Sequence, residues 1–517
     1  EIGSGLVGSE MCIRDSNKAA REMRERLASR LAGRQDISRM TIGTFHAICL
    51  RIVRAHRGPV VLLDEAEAEA LAGNAAAALG LKLTPRKALE AVSAEANGLA
   101  PAPAGLGAAY RAACDALGAL DFDGLLLAAL EAPDGGFAHL LVDEFQDISP
   151  VQYRLIRKWA LGSRSLFVIG DANQAIYGFR GADARCFARL AEDFPALRTV
   201  RLTENYRSTP PILRCAQSVL PGRPEVPESR RASGLPVCLV RAADGWAEAV
   251  FVAKEIARRV GGVDMLGAQG ESAVSFSDIA VLYRTHRQAA LLEECLQKEG
   301  IPYVVSGRDA LLEDPAARRA VAFCRLLCFP EDRPARRALG LDEAALRDAL
   351  SAWAPRAHGE PPARWLAAWM AQQGIPAEGA AGRLLRMAVL CESTGELVEG
   401  LTFGREADLR RCGTPERRSE AVSLMTLHAA KGLEYETVFL CGVREGLMPL
   451  HLPGRESDEK EERRLLFVGM TRARASLILV TPGVPSPFLR ALPEAFVSQR
   501  DAHEGRPRPE GRQLSFL

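Results

Sequence analysis

The sequence predicts an α/β protein built on parallel sheets. Short, largely apolar runs of strand length recur along the chain, helical patterns separate them, and polar residues follow several of the runs directly. The runs are "HLLVDE" (139–144), "SLFVIGD" (165–171), "DIAVLYR" (278–284), "ETVFLCGV" (436–443) and "ASLILVTP" (475–482). Strands alternating with helices imply parallel pairing, and in such sheets ligands bind at the carboxyl ends of the strands.

Taken in order, the chain opens on "VGSEMCIRDSNKAAREMRERL", which joins two unlike pieces. Up to Ser16 the residues show no periodicity; from Asn17, Ala19, Ala20, Met23 and Leu27 fall at helical spacing among charges. Residues 59–136 are Ala-rich and helical, and 331–417 carry Pro, Arg and Trp in helical patterns, so both read as helical insertions between strand-bearing regions. From about 491 the chain turns polar, and "HEGRPRPEGR" predicts a disordered tail.

With 517 residues, 48% hydrophobic and 25% charged, the chain can hold two or more domains with sizeable cores. No apolar run approaches the roughly 18 residues of a membrane span, and no signal-peptide layout opens the chain, so a cytoplasmic protein is expected. A net charge of +1 neither requires nor excludes nucleic acid. Of 12 cysteines, Cys324 and Cys328 stand closest, at helical spacing in an apolar run, and read as structural thiols.

Asp143 and Glu144 end an apolar strand. Neighbouring side chains there diverge, so one carboxylate can hold a hydrated Mg²⁺ while the other polarises water, although acids also simply solvate strand ends or cap helices. Gln174 follows Asp171 by three residues after the next strand, and its amide can accept from water and donate to a phosphate oxygen. Tyr177, Phe179 and Arg180 come next and suit either base stacking or core packing. Arg207 and Arg472, from distant segments, are the kind of cations that neutralise a transferring phosphoryl group; either alone is also an ordinary surface arginine.

These residues lie in long motifs. "NKAAREM", "TIGTFHAICLRIVR", "VDEFQD", "GDANQAIYGFRGA", "NYRS", "VSLMTLHAAKGLEYETVFLCGVREGLMP" and "EERRLLFVGMTRAR" follow one another as in the superfamily 1 DNA helicases of UvrD/Rep/PcrA type, which the chain resembles from Asn17 to about 485. The resemblance implies two RecA-like parallel-sheet motor domains with small helical insertions. Domain 1A would be 17–58 plus 137–203, 1B the insertion 59–136, 2A 204–330 plus 418–490, 2B the insertion 331–417, and 491–517 a flexible tail.

It also implies ATP and Mg²⁺ as cofactors. Asp143 would bind Mg²⁺ with Glu144 nearby to activate water, and Gln174 would couple the terminal phosphate to DNA. Tyr206 would stack on adenine, Arg207 and Arg472 would reach the terminal phosphate, and Glu434 would lie near the nucleotide. Thr44, Phe45, His46, Tyr177, Phe179, Arg180, Thr426 and His428 would line the DNA path. The implied activity is 3′ to 5′ translocation on single-stranded DNA in a bacterial, nucleoid-associated setting of repair or recombination. Single strands and single/double-strand junctions would be the substrates.

There are departures. Asn173 stands where the family usually has Asp, and both insertions are smaller than in Rep-like helicases, which makes translocation a safer expectation than processive unwinding. No GxxxxGK followed by Ser or Thr occurs. "GLVGSEMCIRDS" resembles the translation of a sequencing-library adapter, so residues 1–16 are expected to be a scar outside the fold, with the phosphate loop and first strand lost. The fragment would then hydrolyse little ATP; an inactive helicase-like DNA-binding or scaffold protein is the alternative. At the other end, Gln513 to Leu517 resembles the short peptide that docks on the bacterial sliding clamp.

Overall fold

The computed structural model describes residues 10–14, 17–30, 40–133, 135–178, 181–182, 185–222, 226–261, 274–306, 311, 314–402, 420–451 and 457–503. The chain divides into two compact units. The first comprises Glu1–Ala172, Tyr177–Pro195 and Ala310–Gly413, the second Asn173–Ile176, Ala196–Asp309 and Thr414–Leu517. Among the described residues no helix is long and apolar enough to cross a membrane.

The first unit holds a four-stranded parallel sheet in the order Thr41–Thr44, Glu10–Arg14, His139–Val142, Ser165–Val168. Side chains alternate across it. Leu140 and Val142 are fully buried, while Leu141 joins Ile42, Met23 and Leu27 on the other face, so the helix Asn17–Arg30 packs there through Met23 and Leu27. After the acidic strand end the helix Pro150–Leu161 starts cleanly. Ser149 and Gln152 form a reciprocal capping box, proline takes the first helical position, and Leu155, Ile156 and Trp159 face inward.

Two helical clusters complete this unit. Glu65–Ala78, Pro85–Ala96 and Leu106–Leu117 pack around Ala72, Ala76, Ala88 and Tyr110. Gly73 is needed there, because a Cβ would lie 2.9 Å from the Pro85 ring. The second cluster runs through helices from Pro315–Cys328 to Thr394–Thr402, around Phe323 stacked on Trp369 with ring centroids 4.5 Å apart. Cys324 and Cys328 are free thiols of this core; burial raises both, Cys328 to about 11. Among the described residues no group of His, Cys, Asp or Glu could hold a metal on its own.

The second unit carries a seven-stranded parallel sheet. Its order is Tyr303–Val305, Val422–Thr426, Ile279–Tyr283, Tyr435–Leu440, Ala473–Pro482, Val237–Ala242, Val497–Asp501. Every residue of Ile279–Tyr283 is buried, as its unbroken apolar run predicts for a central strand. The α/β class with parallel sheets and helical insertions is therefore the observed one.

Three local features bear on these divisions. Glu10–Arg14 pairs with strands on both sides, and Met11 is fully buried. The helix Pro315–Cys328 falls in the first unit, where Ala320, Phe323, Cys324 and Leu326 join the helical core. Val497–Asp501 forms a sheet edge beside Val237–Ala242, where Arg500 reaches the buried Glu255 at 3.2 Å.

Candidate functional site

In the first unit, the strand His139–Val142 delivers Asp143 and Glu144 to its carboxyl end. Glu144 has φ 50° and ψ 41°, the one non-glycine with positive φ among the described residues. That left-handed backbone costs about 1–3 kcal/mol and turns the chain sharply into Phe145–Asp147. Phe145 is fully buried and its N–H donates to Ile169 O at 2.9 Å, which ties this turn to the end of the neighbouring strand.

Gln146, 1% exposed, lies between the two strand ends. Its Nε2 donates to Glu144 Oε2, and its Oε1 accepts from Asp171 N at 2.9 Å. A Cβ on Gly170 would stand 2.4 Å from Gln146 Oε1 and 3.1 Å from Phe145 N, so the second strand must end in glycine for the turns to meet. Sequence reading passed over Gln146; the only signal was its place two residues past an acidic strand end.

The DNA-path candidates of this unit lie at the start of the helix Phe45–Arg57. Thr44 is its N-cap, accepting from Ala47 N at 3.3 Å, and Phe45 is a core residue. His46 meets Phe122 edge-on at 5.1 Å, and burial lowers its pKa to about 4 against the opposing pull of Asp123, so the imidazole stays neutral. Tyr177 is half-buried, while Phe179 and Arg180 lie outside the described residues.

In the second unit Gln174 meets two cations. Lys431 Nζ donates to Gln174 O at 2.9 Å and Arg472 Nη2 to Gln174 Oε1 at 3.5 Å, while Arg464 Nε donates to Ala175 O at 2.7 Å. Arg472 is 1% exposed and held by Val468 O at 2.9 Å and Leu433 O at 3.2 Å. Two candidates nearly 300 residues apart in sequence thus share one cluster. Thr426 accepts from Ala429 N at 3.3 Å and His428 is half-buried, both on the turn that leads to Lys431.

Arg207 belongs to a closed ring of polar contacts in the same unit. Its Nε donates to Glu434 Oε2 at 2.8 Å; Glu434 Oε1 lies 3.8 Å from Arg474 Nη1. Arg474 Nε is 3.2 Å from Glu436 Oε1, whose partner oxygen is 3.7 Å from Arg231 Nη1; that same nitrogen donates to Arg207 O at 3.2 Å. Asn205 Oδ1 accepts from the N–H groups of Arg207 and Ser208, fixing the turn. Tyr206 is 70% exposed and donates to Glu204, whose carboxyl Arg230 and this phenol hold down at about 2.

Each unit is a parallel α/β sheet with helices, and polar side chains gather at an acidic strand end in the first and around Gln174 and Arg472 in the second, which defines the class as α/β. Comparison with known proteins gives the family. A family model described as UvrD/REP helicase N-terminal domain matches residues 11–69 and 82–195, and one described as UvrD-like helicase C-terminal domain matches 200–343 and 402–482. The chain belongs to the UvrD/Rep helicase family. It is 31% identical to ATP-dependent DNA helicase UvrD1 of Mycobacterium tuberculosis, over 96% of this chain and 80% of that protein. It is 28% identical to ATP-dependent DNA helicase Rep of Escherichia coli (93% and 86% covered) and 27% identical to DNA helicase II of the same species (95% and 82%).

Proposed function

We propose that the chain works as an ATP-dependent translocase or helicase that moves 3′ to 5′ on single-stranded DNA and at single/double-strand junctions, in bacterial repair or recombination. The observation that carries this reading is the joint presence of Asp143 and Glu144 at a strand end and of Gln174, Arg472, Arg207 and Glu434 in one unit's polar clusters. In this reading domains 1A and 2A are the motor, ATP lies against Tyr206, and Glu144 acts on water. Thr44, Phe45, His46, Tyr177, Phe179, Arg180, Thr426 and His428 belong to the DNA path. Cytoplasmic, nucleoid-associated localisation and clamp docking through Gln513 to Leu517, which lie outside the described residues, complete it.

Mg²⁺ fits the donor set. It keeps several waters and takes one or two carboxylates plus phosphate oxygens, so Asp143 suffices without a protein cage. With Mg²⁺ supplying charge to the phosphates, Glu144 keeps its role as base, its carboxylate held by the Gln146 amide. The 517 residues include no GxxxxGK(S/T) loop, and low ATP turnover by this chain alone is expected; that absence favours a second reading, a DNA-binding scaffold without motor activity.

The test is ATP hydrolysis with and without single-stranded DNA. It is run on this chain and on the product of intact genomic DNA read through the codons before Asn17. DNA-stimulated turnover that Glu144→Gln abolishes supports the motor; DNA binding with no turnover in either protein supports the scaffold.

A further inference from the structure

We infer that Gln146 is the positioning residue for Glu144, fixing the catalytic carboxylate through one bond and the neighbouring strand end through another. The inference rests on the reading of Glu144 as the base. Gln146 is 1% exposed, and both ends of its amide are used: Nε2 donates to Glu144 Oε2 and Oε1 accepts from Asp171 N at 2.9 Å. Because Glu144 sits at φ 50°, strand geometry does not aim its side chain, and a bond to the carboxylate itself must do so. An amide suits the place because it alone among uncharged side chains of this size offers a donor and an acceptor at one terminus.

The packing leaves the amide little choice of position. Gly170 brings its backbone close enough that even a methyl group would meet Gln146 Oε1 at 2.4 Å and the Phe187 ring at 2.9 Å. Phe145, fully buried, packs against the same ring with centroids 5.2 Å apart. The Asp171 N–H therefore orients the amide, the amide orients Glu144, and the two strand ends are held in register.

Two substitutions separate the bonds. Gln146→Met fills the same volume and makes neither; Gln146→Glu keeps the acceptor for Asp171 N and loses the donor to Glu144. Measured as DNA-stimulated ATP hydrolysis, both variants should lose on the order of 10–100-fold in kcat, the scale of a base displaced by about an ångström, with KM for ATP changed less than about twofold. Full activity in Gln146→Glu beside loss in Gln146→Met would reduce Gln146 to a strand tie and overturn the inference, as would full activity in both. Should neither this chain nor the product of intact genomic DNA show turnover, the reading of the function fails separately. The crystal structure of Gln146→Met then decides: a Glu144 carboxylate swung out of place supports the positioning role, and one that has not moved ends it.

Discussion

Arg207 Nε donates to Glu434 Oε2 across 2.8 Å, joining residues 227 positions apart in sequence. Both side chains are more than a third exposed, at 35% and 46%, so water screens the pair and it adds only about 0–1 kcal/mol to stability. In the proposed reading the pair holds a guanidinium ready for an anion. Arg207→Ala should leave the urea unfolding midpoint almost unchanged while lowering DNA-stimulated ATP turnover by roughly 10³-fold, as loss of a phosphate-neutralising arginine does. A large drop in the midpoint, with turnover retained, would make the ring structural.

Glu248 predicts a pH dependence. It is 5% exposed, and burial pushes its carboxyl up to about 8 against the pull of the Gly442 N–H and Arg444. The folded value lies above the ordinary carboxylate range, so its contribution to stability is complete below about pH 4.5 and is lost as pH rises through about 8. Glu248→Gln keeps an oxygen for Gly442 N, which donates to Glu248 Oε1 at 2.6 Å, and removes the ionisation. At pH 9 the variant should be the more stable by on the order of a few kcal/mol, and at pH 5 the two should be close. Urea titrations at the two pH values check this.

How legible these features were follows from the kind of signal each leaves. Runs such as "DIAVLYR" and "ASLILVTP" announce buried strands because an unbroken apolar stretch lies inside each, and both are strands of the seven-stranded sheet. Val497–Asp501 leaves no such mark: an edge strand of Val, Ser, Gln, Arg and Asp is written in polar residues, and its place is fixed by Arg500 reaching Glu255. Asp143 and Glu144 stood out because acids after an apolar run are conspicuous. Gln146 did not, since its role exists only where two strand ends meet. Charges buried on helices, such as Glu248 and Arg325, are invisible to periodicity until their partners are known.

Arg325 is the second such charge. Its guanidinium donates to Asp332 Oδ2 and Glu67 Oε1, each at 2.9 Å, and to Leu62 O at 3.3 Å, with Asp332 1% exposed. This joins the helix Glu65–Ala78 to Pro315–Cys328 within the first unit. Arg325→Met leaves two carboxylates without their shared cation and should cost about 3–5 kcal/mol. Combining it with Glu67→Gln should recover part of that loss, a non-additivity that chemical denaturation of the single and double variants measures directly. Additive losses would mean that the two residues act independently.

Gly170 gives the sharpest steric prediction. Its Cβ position is crowded by Gln146 Oε1 at 2.4 Å, the Phe187 ring at 2.9 Å and Phe145 N at 3.1 Å, and the last of these is backbone in a buried turn. Gly170→Ala must therefore move the Gln146 amide or part the two strand ends. Either response costs about 1–3 kcal/mol, the usual scale of overpacking. Gly432 is the comparison: nothing lies within 4 Å of its Cβ, and only its φ of 76° disfavours a side chain. Gly432→Ala should cost about 1–2 kcal/mol through the backbone alone and leave Gln146 undisturbed. Amide exchange at Asp171 separates the two cases. It should accelerate in Gly170→Ala, where the acceptor at Gln146 Oε1 is displaced, and stay slow in Gly432→Ala; equal protection in both would show that the Gly170 turn yields without disturbing Gln146.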